Sequence, residues 1–224
     1  MDAARIARRA LKEFDVQAEW FFDFISPYSY LQLDQVHAWR QRLEITPVPI
    51  AFGAVLAHTG TLGPAEVPGK REFMYRQIVW QAQRAGIALT FPPAHPFNPL
   101  VALRLCIAAG STWESVDAIF RHIWRDGRSG VTATDLAAVA RMLGIEDVEK
   151  ATSAPAVKSQ LRSNTDSAVA SGVFGVPTLR VGSELFWGND ASGMVEEWLD
   201  DPQRFASDEY RRLQTLPLGV ERRR

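Results

Sequence analysis

Cysteine is nearly absent from this chain. Its 224 residues include one, Cys106, which excludes an intrachain disulfide and any C-x-x-C redox pair. An excess of charge of either sign is missing as well: 25 Lys and Arg stand against 26 Asp and Glu, a formal net charge of −1. That balance leaves no overall field to hold a phosphate backbone or an anionic membrane, so nucleic acid is not an expected partner. No apolar run is long enough to span a bilayer, and no membrane association is expected. The opening segment, MDAARIARRALKEFDVQAEW, is charged and amphipathic, without the apolar centre of a signal peptide; Asp2, Glu13 and Asp15 set it apart from a mitochondrial presequence. A cytoplasmic location is expected. His37, His58, His95 and His122 show no metal-ligand spacing, and no metal is expected.

What is present is an ordinary globular composition, 46% hydrophobic and 23% charged. Residues 19–25, EWFFDFI, read as a buried strand. Ser26 is a good N-cap and Pro27 suits a first helical position, so a helix follows, with Leu31, Val36 and Trp39 facing inward up to about Leu43. Ile45 to Ile50 reads as a second strand, parallel to the first because a helix joins them. Residues 52–69 are rich in Gly, Pro and small residues and read as an irregular connection. Helical spacing then recurs over 70–85, 98–109, 111–126 and 134–143, with Ser111 and Thr132 as N-cap signals, and again over 156–170. Two short strands surround the hairpin signal Gly182-Ser183, and Asn189 or Asp190 caps a helix through about Leu199. The order β-α-β, helices, α-β-β-α is that of an α/β thioredoxin-like fold with an inserted all-helical domain. Residues 18–51 and 150–205 form the discontinuous thioredoxin-like domain, 52–149 the insertion and 213–224 a disordered tail.

Three segments carry candidate chemistry. The first, Ser26-Pro-Tyr-Ser-Tyr30, sits at a strand-to-helix junction, where free N–H groups and the helix dipole favour an anion. A redox enzyme of this architecture places its C-x-x-C here, whereas this chain has Ser26 and Ser29. Thiol chemistry would then need an external thiol, and glutathione fits, its thiolate accepting a hydrogen bond from a serine hydroxyl. For a thiol of pKa about 8.5, one unit of depression raises the thiolate fraction at pH 7 from roughly 3% to roughly 24%. That costs about 1.4 kcal/mol, within reach of one charge-assisted hydrogen bond. The plain alternative is that Ser26 only caps its helix. The second segment, Gly175-Val176-Pro177-Thr178, matches the position of a cis-proline that leaves the preceding backbone free to pair with a bound peptide; the alternative is a trans turn proline. In the third, Trp187-Gly188-Asn189-Asp190, helix N–H groups could hold the γ-glutamyl carboxylate and Asp190 its ammonium, and simple capping is again the alternative.

Together F-D-F-I-S-P-Y-S-Y-L, G-V-F-G-V-P-T and L-F-W-G-N-D resemble the signature segments of the 2-hydroxychromene-2-carboxylate isomerases, a family similar to kappa-class glutathione transferases among the thioredoxin-fold disulfide oxidoreductases. Val67 to Arg71 and Phe97 to Arg104 add to the likeness, which runs over about residues 18–200. The resemblance implies glutathione as cofactor, Ser26 as the catalytic serine holding its thiolate, and Val176 beside Pro177 bonding its backbone. It implies Trp187, Gly188, Asn189 and Asp190 at the glutamyl end. Reversible addition of the thiolate to a conjugated intermediate of aromatic-compound catabolism would permit rotation and elimination to the isomer. A homodimer is implied too. Residues 54–57, Thr61 and Ala191 depart from the family pattern, and the departures fall on the substrate side, where Phe97, Asn98 and Lys70 are the candidates. Cys106, in an apolar helical run, and the seven tryptophans read as packing residues. Three classes stay open: a glutathione-dependent isomerase acting on a small aromatic or conjugated substrate, a kappa-like transferase, and a redox-inactive thioredoxin-fold binding protein. Glutathione stoichiometry separates them.

Overall fold

Aromatic alternation in the first strand decides how the sheet sits between its layers. In the computed structural model, which describes residues 18–220, β1 (Ala18–Phe22) sends Trp20 and Phe22 into the larger core with Phe24, Trp39, Phe120 and Trp124. Phe21 points the other way, into a smaller core with Ile50, Val55, Ala168 and Val173. Side chains alternate across a strand, so both faces of β1 are covered, and the run is apolar almost throughout. The opening charged segment lies outside the described residues up to position 17.

From β1 the chain enters α1 (Pro27–Trp39) and returns through β2 (Ile45–Pro49), parallel to β1, with Phe21 beside Val48. A helical block follows: α2 (Phe52–Thr59), α3 (Lys70–Ala85), α4 (Leu100–Ala108), α5 (Trp113–Phe120), α6 (Ala133–Met142) and α7 (Val148–Ser153). Then α8 (Pro155–Ala170) leads to the hairpin β3 (Thr178–Val181) and β4 (Glu184–Trp187), and α9 (Ser192–Asp200) and α10 (Asp208–Leu213) complete the order. The sheet runs β2-β1-β3-β4, with β3 antiparallel to β1 and to β4. This is a thioredoxin-like α/β fold with helices set between β2 and the second half of the sheet. Pro47 and Pro49 sit on the edge strand β2, where a missing ladder donor costs least. Gly182 takes φ 61° in the two-residue loop that closes Val181 onto Glu184, as the Gly182-Ser183 signal implies.

Four local expectations are corrected. The strand ends at Phe22 rather than Ile25, because Asp23 turns inward and its carboxylate bonds the Ile25 amide. Residues 52–59 form α2, not an irregular connection. No local side chain caps α2; the Phe52 N–H donates to Asp23 and the preceding Ala51 N–H to Thr165 on α8. Both partners are remote in sequence, which hides this start from local capping rules. Thr112, not Ser111, caps α5, its hydroxyl accepting from Ser115 N–H, while Ser111 closes the previous turn at φ 50°. Asn189 and Asp190 lie within a single 3-10 turn, Asn189–Ala191, ahead of α9, rather than capping it by side chain. Beyond α10, residues 214–220 are exposed and carry no regular element, and the last four residues lie outside the described range.

Candidate active site

The β1–α1 turn holds Ser26 through an unusually complete set of bonds. Ser26 is the N-cap of α1, at φ −88° and ψ 111°; its hydroxyl oxygen accepts from the Ser29 N–H at 3.2 Å, and Pro27 occupies the first helical turn. The same hydroxyl donates to the Val176 carbonyl at 3.4 Å. Three successive carbonyls ahead of it have partners: Asp23 accepts from Ser26 N–H at 3.0 Å, Phe24 from the Trp124 indole at 2.8 Å and Ile25 from a ring nitrogen of His95 at 2.9 Å. Asp23 also spans the turn with its side chain, one oxygen accepting from Ile25 N–H at 3.1 Å and the other from Phe52 N–H at 2.9 Å. Complete burial pushes the Asp23 carboxyl up to about 7, against the opposing pull of the backbone donors of Ile25, Phe52 and Phe24. Ser29 is fully buried and its hydroxyl has no partner, so of the two serines at the C-x-x-C positions only Ser26 reaches the cleft.

Opposite Ser26 lies the segment from Phe174 to Pro177. The Val176–Pro177 peptide is cis, and the Pro177 carbonyl accepts from Gly188 N–H at 2.8 Å, which ties this loop to the turn after β4. The indole of Trp187 approaches Gly175 closely: a Cβ there would meet Nε1 at 2.3 Å. Phe174 packs on Trp187 edge to face with ring centres 4.9 Å apart, both rings being about half exposed. Gly188 stands at φ 91°, a conformation costly for any other residue, and a Cβ on it would strike the Asp190 carboxylate at 2.4 Å. From α1, the buried amide of Gln32 donates to the Gly188 carbonyl at 3.0 Å and to Ser192 at 3.3 Å and accepts from the Trp20 indole at 2.8 Å. The Nε2 of Gln32 thus ties the Gly188 turn to α1, while its oxygen is anchored by Trp20 of β1.

The two loops enclose a cleft of about 620 Å3. Ser26, Val176, Trp187, Gly188, Asn189 and Asp190 all line it, and Pro177 adjoins Val176 behind the wall. Its apolar lining includes Phe52, Leu56, Leu62, Met74, Pro96 and Phe174. Amides line it too: Gln77, which accepts from the Tyr28 hydroxyl at 3.1 Å, and Gln81, opposite the Asn189 amide at 3.5 Å. Burial, helped by the Asp190 charge, raises the Tyr28 phenol above its usual pKa, so it remains a hydrogen-bond donor at neutral pH. Lys70, Phe97 and Asn98 are not part of the lining. Lys70 is exposed at the start of α3, Phe97 packs against the core, and the Asn98 side chain accepts from Leu100 N–H ahead of α4. Cys106 is fully buried in α4, and burial pushes its thiol up to about 12. Among the described residues no three His, Cys, Asp or Glu side chains gather as metal ligands.

Sequence reasoning missed Asp23, Gln32, His95, Gln77 and Gln81. Asp23 had a signal, a lone carboxylate inside an aromatic run. The others had none, because each acts across elements distant in the chain.

The fold and this junction define a thioredoxin-like protein in which the helix after β1 begins with serine and not cysteine. The chain belongs to the DSBA-like thioredoxin domain family, which matches residues 17–200. It is 27% identical over 206 residues to a glutathione S-transferase kappa 2 of Caenorhabditis elegans, covering 82% of this chain and 92% of the relative. It is 28% identical over 192 residues to a 2-hydroxychromene-2-carboxylate isomerase of Sphingobium xenophagum, covering 82% and 97%. Of solved structures, a 2-hydroxychromene-2-carboxylate isomerase superposes with a TM-score of 0.73 at 26% identity, over 86% of this chain and 98% of that one. The resemblance read from three short segments thus extends over most of the chain.

Proposed function

We propose that this protein is a glutathione-dependent enzyme of the 2-hydroxychromene-2-carboxylate isomerase type. The observation that carries this reading is the Ser26 hydroxyl, held at the N-terminus of α1, lining the cleft and facing Val176. Its present bond to the Val176 carbonyl is long, so turning the hydroxyl toward a thiolate sulfur gives up little. The N-terminal end of the α1 dipole adds to the stabilisation. Val176, before Pro177, offers its main chain to the cysteinyl part of glutathione. Trp187 and Gly188 bound the tripeptide, N–H groups at Asn189 and Asp190 bind the glutamyl carboxylate, and the Asp190 carboxylate pairs with the ammonium.

The apolar lining from Phe52 to Phe174 suits the ring of a conjugated second substrate. The thiolate forms a C–S bond at a conjugated carbon, and the electron pair moves onto the conjugated acceptor. The former double bond is then free to rotate. Return of the pair expels the thiolate and restores the double bond in the new geometry, so glutathione is not consumed. Kappa-like transfer is the second reading, favoured by the similarity to kappa relatives; there the C–S bond persists and one glutathione is consumed per turnover. Lys70, Phe97 and Asn98, outside the lining, receive no direct part. A role in aromatic-compound catabolism, a cytoplasmic location and a homodimer complete the reading by resemblance, and cell fractionation and sedimentation test the last two.

The test is calorimetric titration of reduced glutathione into the wild type and Ser26→Ala, with thiolate absorbance followed against pH. The wild type should depress the bound thiol's pKa by about one unit or more, and the variant should lose roughly tenfold in thiolate fraction near neutrality. A wild type that ignores glutathione would leave only a redox-inactive binding scaffold.

A further inference from the structure

The peptide joining Ile25 to Ser26 is held at both ends. Its N–H, on Ser26, donates to the Asp23 carbonyl at 3.0 Å, and its oxygen, on Ile25, meets Nε2 of His95 at 2.9 Å. A carbonyl oxygen can only accept, so Nε2 carries the proton. Nδ1 of the same ring lies 2.8 Å from the Tyr75 hydroxyl, which is also 2.7 Å from the main-chain oxygen of His95. In the neutral ring Nδ1 accepts from Tyr75. If the ring takes a second proton, Nδ1 donates to the Tyr75 oxygen and the hydroxyl turns to the His95 carbonyl. Either way Nε2–H stays on Ile25, so the contact survives a change of charge state.

The surroundings hold the ring in place. His95 lines the cleft and is packed edge-on among Tyr75, Phe91, Phe97 and Trp124, with ring centres 5.3 to 6.3 Å away. Burial keeps its pKa below the usual histidine value. Trp124 grips the preceding carbonyl, that of Phe24. The helical block therefore reaches into the thioredoxin-like turn at two successive peptides, and at Ile25 it does so through a side chain whose tautomer is set by the Ile25 carbonyl and whose other ring nitrogen is held by the Tyr75 hydroxyl.

We propose that His95, oriented by Tyr75, is a positioning residue that fixes the Ile25–Ser26 peptide and, through it, the direction of the Ser26 hydroxyl toward the sulfur of bound glutathione. This rests on the glutathione reading above and adds to it a side chain that acts on Ser26 through the Ile25 carbonyl. Without the Nε2 donor the Ile25 carbonyl loses its partner, the peptide gains freedom to rotate, and the hydroxyl no longer points steadily at the thiolate.

The probe is reduced glutathione, and the readout is the pKa of its bound thiol from thiolate absorbance, with affinity measured separately by calorimetry at a pH where the free thiol is protonated. His95→Leu should raise the bound-thiol pKa by about one unit, a tenfold loss of thiolate, with a smaller change in that affinity. His95→Gln, whose amide can donate to Ile25, should restore the wild-type pKa. A bound-thiol pKa unchanged in folded His95→Leu, or a His95→Gln protein as impaired as His95→Leu, overturns the proposal. Should the leucine variant fail to fold, Tyr75→Phe carries the test: it frees Nδ1 and should raise the pKa in the same direction, and no change refutes the role. A wild type that does not bind glutathione overturns the functional reading and this role together, whereas normal binding with indifferent variants sinks the His95 proposal alone.

Discussion

Single side chains here are decided by burial and partner rather than by residue type. Ser26 and Ser29 lie three residues apart, yet one lines the cleft and the other is sealed with no partner for its hydroxyl. Cys106 makes the same point for thiols. It packs in the core beside Ser115 at 3.5 Å, and desolvation pushes its pKa up to about 12, so it holds its proton and lacks the thiolate needed for attack. An aromatic disulfide reagent should label it slowly in the native protein and fast in denaturant, and Cys106→Ala should leave glutathione binding unchanged. Fast labelling of the native thiol, or lost binding in the variant, would contradict this placement. The packing role was legible from the apolar neighbours of Cys106. The roles of Gln32 and His95 were not, since their partners, Gly188 and Ile25, are far off in the chain.

At the scale of elements, the site is a meeting of ends: the start of α1, the loop before β3 and the turn after β4. Gly188 is the glycine of the site with a positive φ, 91°, and the Asp190 carboxylate lies where a Cβ would stand. Gly188→Ala should cost about 1–3 kcal/mol in unfolding free energy, because φ 91° with ψ 159° is a region open only to glycine, and should also weaken glutathione binding, because Asp190 must move. Denaturant titration and calorimetry on one sample check both, and unchanged affinity would remove Asp190 from the proposed glutamyl site. The strand–helix–strand opening, the Gly182-Ser183 hairpin and the helical block could be read from periodicity and turn residues. The helix α2 could not, because its N-terminal amide is capped by Asp23, in the β1–α1 turn.

For the whole molecule, Asp23 links the site to stability. Its folded pKa, about 7, lies above the ordinary 3.8. Between those values the folded chain retains a proton that the unfolded chain releases, so the unfolded state binds fewer protons and stability falls as pH rises. The contribution is complete below about pH 4 and lost by about pH 7, with an upper bound of about 4 kcal/mol. Asp23→Asn cannot titrate, and its unfolding free energy should vary less with pH across that window. An equally steep dependence in the variant would place the titrating group elsewhere.

By itself the chain determined the strand–helix–strand opening, the hairpin, the α/β thioredoxin-like class and the serine at the start of the first helix, because periodicity, capping and turn chemistry are local and were written in neighbouring residues. It also singled out three segments whose residues line the cleft. Only the tertiary structure decided that Ser26 and not Ser29 is presented, that Asp23 joins the β1–α1 turn to α2, that Gln32 carries the Gly188 turn and that His95 reaches the Ile25 carbonyl. Those assignments depend on burial and on bonds between distant segments, and such bonds exist only once the helical block has packed against the sheet.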